Sequence, residues 1–133
     1  MNSAEAAVNE FLKRWGAAIG MMAVIFTASS FSKAQVPQAP GFVLDWLVKK
    51  TAHVLTYGLL GAACLRGLAY GRAPARRDLM WAVLLSGLYG VTDEFHQAFV
   101  PGRGAAALDV GIDTLGAALG VWLALRRRPP PAA

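Results

Sequence analysis

Apolar residues fall into four long runs, at about residues 15–31, 51–70, 79–99 and 105–125, parted by short polar or Gly/Pro-bearing breaks. Each run is close to the roughly 20 residues that cross about 30 Å of hydrocarbon at 1.5 Å per residue. A segment surrounded by lipid must satisfy its own backbone hydrogen bonds. The pattern therefore predicts an all-α protein, a four-helix integral membrane bundle, forming one domain over residues 1–133. Gly71-Arg72-Ala73-Pro74 breaks the chain between the second and third runs, and Pro101-Gly102 between the third and fourth. The longest connection, Ser32 to Lys50, carries Pro37, Pro40 and Gly41. Its later part, Phe42 to Val48, is apolar with Asp45 and Trp46, which predicts a separate short helix at the membrane interface. Three arginines followed by three prolines predict the end of the last helix and a disordered tail over 126–133. Gly16 with Gly20, and Gly116 with Gly120, have the spacing that lets helices approach closely.

Composition supports the membrane reading. The chain is 56% hydrophobic and 16% charged, with a mean hydropathy of +0.42. The net charge of +5 does not point to nucleic acid, because the basic residues flank the apolar runs in short clusters. Lys13, Arg14, Arg66, Arg72, Arg76, Arg77 and Arg126 to Arg128 fall on one side, and Lys33, Lys49, Lys50 and Arg103 on the other. The richer side belongs in the cytoplasm, so both termini are expected there. A cleaved signal peptide is the competing reading of the first run: Lys13 and Arg14 precede it, and Ser32-Lys33-Ala34 follows. The run is longer than a usual signal core. Cys64 is the only cysteine, which excludes an intrachain disulfide.

With this orientation the unusual polar residues gather in the outer half of the bundle. Lys49, His53 and Tyr57 share a face of the second helix, with Lys50 nearly as well aligned; Tyr89, Asp93 and Gln97 share a face of the third; Asp109, Asp113 and Gly116 share a face of the fourth. Glu94 and His96 adjoin the second stripe, and Arg103 follows the Pro-Gly turn. Ionisable groups in a bilayer cost roughly 2.5 kcal/mol or more each, so they mark a site or a buried partner network. Two readings stand. Arg103 with Asp109, and His53 with Asp93, are pairs that fix helix register. Alternatively the three stripes face one outward pocket built from Lys50, His53, Tyr57, Asp93, Glu94, Gln97, Arg103, Asp109 and Asp113.

The residue types suit an anionic lipid headgroup. A histidine beside carboxylates is a general base, and arginine and lysine hold phosphate or carboxylate. No Gly-x-Ser-x-Gly elbow activates Ser29, Ser30 or Thr92. His53, His96 and the acids match no standard ligand spacing, so neither a metal nor another cofactor is expected. A proton relay through Asp93, His53 and Asp113 is the transporter or channel alternative.

At these residues the chain resembles the VanZ-like family. Ser29 and Ser30 match its serine pair; Lys50, His53 and Tyr57 match its second-span pattern; Asp93, Glu94, Gln97, Phe99, Pro101 and Arg103 match its Asp-Glu-x-x-Gln-x-Phe-x-Pro-x-Arg motif; Asp109 and Gly116 match its last span. The chain departs from the pattern at Ala105 to Ala107, where a serine often follows the arginine, and at Asp113, where asparagine is frequent. The resemblance implies a multi-pass protein of the bacterial cytoplasmic membrane. It implies a partner that is a membrane lipid, a lipid-linked envelope component or a glycopeptide antibiotic, with low-level teicoplanin resistance. An enzyme acting on phospholipid or polyprenyl-phosphate headgroups is the other functional class.

Overall fold

The computed structural model describes residues 2–127. They form four helices: α1 (Ser3–Ser29), α2 (Phe42–Leu68), α3 (Arg76–Gln97) and α4 (Ala107–Arg126). Among the described residues there is no strand, and the all-α expectation holds. Residues 128–133 of the expected disordered tail lie outside the described residues, whereas Arg126 still belongs to α4.

Two helices are longer than their apolar runs. α1 begins at Ser3 because Asn2 and Glu5 form a capping box: the Glu5 N–H donates to Asn2 Oδ1 at 2.8 Å, and the Asn2 N–H donates to the Glu5 carboxylate at 2.9 Å. α2 takes in Phe42 to Val48, so the separate interfacial helix does not exist. Past Gly41, the N-cap, no glycine or proline interrupts the chain until Gly58, and the helix runs through. α1 and α4 are long and apolar enough to cross a membrane.

α2 is the central helix, and its seam with α4 is made of small residues. A Cβ on Gly116 would lie 2.8 Å from the Val54 carbonyl oxygen, and one on Gly61 would lie 2.9 Å from Ala117 Cα. Gly120 meets the Gly58 backbone still more closely. The expected role of Gly116 and Gly120 in close packing is therefore realised. Gly16 and Gly20 do not share it, since nothing lies within 4 Å of a Cβ built on either. α1 instead packs through Trp15, whose ring lies over Gly67, while Arg14 Nε donates to the Gly67 carbonyl at 2.8 Å.

The two ends of the bundle are fastened differently. At one end, Arg72 grips Asp78 with both terminal nitrogens, at 2.6 and 2.9 Å, and the Ala75 N–H donates to the same carboxylate at 2.7 Å. The guanidinium first, and the backbone N–H second, hold the Asp78 carboxyl well below the usual carboxylate range. At the other end, the Lys33 N–H donates to the Pro101 carbonyl at 3.3 Å. Gly102 turns the chain there with a φ of 75°, a conformation that suits glycine. The loop after α1 and the α3–α4 turn thus meet, and the polar residues collect beside them.

Candidate functional site

The polar stripes surround a cavity of about 430 Å³. Lys50, His53 and Tyr57 reach it from α2, Asp93 and Gln97 from α3, Arg103 from the turn, and Asp109 from α4. Seven of the nine residues singled out in the sequence therefore form its wall. Glu94 and Asp113 are not part of the wall; both are buried, Glu94 at 4% exposure and Asp113 at 0%.

The partners differ from the expected ones. Asp109 pairs with Lys50, not with Arg103. His53 Nδ1 lies 2.8 Å from Asp113 Oδ1, so the imidazole pairs with α4 and not with Asp93 on α3. Both exchanges have one cause. The glycine seam draws α4 against α2, which puts Asp109 and Asp113 opposite Lys50 and His53. Arg103 is left to cap α1: one terminal nitrogen donates to the Ser29 carbonyl at 3.0 Å and to the Ala28 carbonyl at 3.4 Å. Those carbonyls belong to the last turn of a helix, where backbone acceptors lack intrahelical donors.

Asp93 and Glu94 are held by neutral donors. Asp93 Oδ2 accepts from the Ser29 hydroxyl at 2.9 Å and from the Gln97 amide at 2.8 Å. Glu94 accepts from the Ala106 N–H at 2.8 Å and from Gln97 at 3.4 Å. Glu94 thereby ties the end of α3 to the start of α4. Three buried polar atoms have no hydrogen-bond partner among the described residues: the Tyr57 hydroxyl, Asp93 Oδ1 and Asp113 Oδ2. Such orphans are uncommon in folded proteins and point to a missing partner. His96 stands apart, 3.1 Å from the Ser30 hydroxyl and stacked on Phe26. Lys49 is a wall residue that also pairs with Asp45 at 2.6 Å.

Sequence reasoning left three contributors without their roles. Ser29 connects α1 to Asp93, a contact that neither its place in a serine pair nor the search for a nucleophile shows. Lys33 and Gln38 reach the wall from the loop after α1. Lys33 counted only towards topology; no periodicity signals a loop residue that a distant turn pulls inward. His53, Glu94 and Asp113 also bring ligand-type atoms within 4.8 Å of one another. They come from three helices, so no spacing along the chain could reveal them.

Among known protein families, the one described as VanZ/LLP1 matches residues 11–128. No curated protein and no solved structure matches the chain.

Proposed function

Because the chain belongs to the VanZ/LLP1 family, we propose that it is a multi-pass protein of the bacterial cytoplasmic membrane whose cavity binds the anionic headgroup of an envelope lipid. Large apolar side chains on the outside support the membrane part of this reading: Phe42 is 84% exposed, Met80 72% and Leu115 71%. A monomer in water rarely carries so much apolar surface. α2 and α3 complete four spans because their charged groups turn towards the cavity or the helix ends. The nine-to-four division of basic residues supports an orientation with both termini in the cytoplasm and the cavity on the outer side.

Four cations around one cavity carry the headgroup assignment: Lys33, Lys49, Lys50 and Arg103. Lys50 and Lys49 are paired with aspartates, while among the described residues the Lys33 ammonium and two of the three guanidinium nitrogens of Arg103 have no hydrogen-bond acceptor and are left for a ligand. Phosphate accepts from several donors at once, and it would reach this cavity from the outer leaflet. A lipid-like glycopeptide has an apolar tail beside polar groups, and its capture here would account for low-level teicoplanin resistance. Binding to purified protein, followed by mass spectrometry of the intact complex, tests the reading. Phosphatidylglycerol should be retained at least about tenfold better than phosphatidylcholine, a difference of roughly 1.4 kcal/mol. Equal retention of the two lipids ends the headgroup assignment.

One observation favours turnover as well as binding. His53 is a cavity-wall residue oriented by Asp113, the arrangement that prepares an imidazole for general-base work. Release of headgroup from a radiolabelled lipid by the purified protein would establish this enzymatic reading. Topology has its own test. A Cβ on Gly104 meets nothing within 4 Å, so a cysteine fits there. Gly104→Cys in a Cys64→Ala background should react with an impermeant thiol reagent in intact cells. Reaction only after permeabilisation reverses the orientation.

A further inference from the structure

We propose that His53, Glu94 and Asp113 form a divalent-cation site against the inner side of the cavity, suited to zinc or manganese. The three ligand groups come from α2, α3 and α4, and one ligand atom from each lies within 4.8 Å of the other two. The 2.8 Å between His53 Nδ1 and Asp113 Oδ1 is a hydrogen-bond distance. Two neighbouring ligands that each sit about 2.1 Å from one ion in tetrahedral geometry lie roughly 3.4 Å apart, so the pair would open by about 0.6 Å to take an ion in place of the shared proton. Two further observations point to a missing partner. Asp113 is 0% exposed, yet its Oδ2 has no hydrogen-bond donor among the described residues. The Tyr57 hydroxyl, on a residue 1% exposed, is in the same condition. Asp113 Oδ2 and the Tyr57 ring both border Gly90, where a Cβ would meet them at 3.3 and 3.4 Å.

The charges argue in the same direction. Asp93, Glu94 and Asp113 are all buried. Asp93 and Glu94 are bonded only by neutral donors, and among the described residues the one ionisable donor on any of the three is His53. Buried charges are ordinarily paired or coordinate a metal. A divalent ion would supply the absent positive charge at one point. One imidazole and two carboxylates suit zinc or manganese, whereas calcium and magnesium favour oxygen ligands alone. Glu94 is already oriented by the Ala106 N–H and Gln97, as carboxylate ligands commonly are. Three protein ligands leave room for a water or another oxygen, and His53 places that opening beside the cavity. The proposal does not depend on lipid binding, because its readout is the metal itself; an ion bound between His53 and Asp113 would replace the general-base role of that imidazole.

The test uses full-length protein with a histidine-free tag, purified in detergent without chelator. Elemental analysis should find about one zinc or manganese per chain. Stripping the wild type with chelator should lower its melting temperature, and adding zinc or manganese chloride should restore it. Glu94→Gln and Asp113→Asn should each hold at least about tenfold less metal, while Glu10→Gln, in an exposed pair with Lys13, should hold as much as wild type. If either ligand variant fails to fold, the stripping and refilling of wild type still decides. Wild-type protein that melts normally, contains no stoichiometric metal and is unmoved by either salt overturns the site. Full metal content in both Glu94→Gln and Asp113→Asn overturns it as well.

Discussion

Gly120→Ala should destabilise the protein by roughly 3 kcal/mol, the upper part of the range for overpacking. The new methyl group would overlap the Gly58 carbonyl oxygen and lie 2.6 Å from Gly58 Cα. Both are backbone atoms of a helix, so no side-chain rotation relieves the clash. α4 would have to move away from α2, and with it Asp109 and Asp113 would leave Lys50 and His53. Ala118 faces outward on the same helix, so Ala118→Leu should change little. Thermal unfolding of both variants in detergent is the measurement. Equal melting temperatures would remove the claim that backbone contact holds this seam.

Arg103→Lys should abolish headgroup binding, lowering retention of phosphatidylglycerol at least about tenfold while leaving the melting temperature near wild type. Only one guanidinium nitrogen is committed to the Ser29 and Ala28 carbonyls. A lysine ammonium can still donate to those carbonyls, so the cap on α1 survives. It cannot offer the planar fork that engages two oxygens of one phosphate. Because Arg103 is one of four cations at the cavity, the loss also shows whether geometry or charge governs binding. Unchanged retention would leave charge alone as the determinant. A large fall in melting temperature would make the arginine chiefly a helix cap.

Periodicity is enough to locate four helices and to put Lys50, His53, Tyr57, Asp93, Gln97 and Asp109 on faces that meet. Those faces follow from local geometry, which spacing records directly. Partner choice is not legible in the same way. It depends on which helices touch most closely, and that is set by backbone surfaces at Gly58, Gly61, Gly116 and Gly120. Spacing marks Gly116 and Gly120 but cannot name the helix they meet. It marks Gly16 and Gly20 with equal force, and they meet nothing. Glu94 shows another limit. It stands next to Asp93 and suits the loop as well as the interior, until the α3–α4 turn folds back and gives it the Ala106 N–H. The early start of α1 is written in Asn2 and Glu5, but hydropathy alone passes over a polar capping box.

α1 has three buried residues in its 27, Ala18, Ile25 and Ser29. It is nevertheless fastened at its middle, by Arg14 and Trp15 at Gly67, and at its C-terminal end, by Ser29 at Asp93 and Arg103. In a bilayer, parting one helix from its neighbours exchanges protein packing for lipid packing, so the polar ties decide how firmly it stays. Val24, Ile25, Ala28 and Ser29 of this helix are also one side of the cavity. The element with the least packing is therefore the one that closes the chamber. Local opening in a folded protein is drawn from its least stable parts. Amides of α1 should accordingly exchange sooner than those along the α2–α4 seam, and the chamber should open more readily than the fold comes apart.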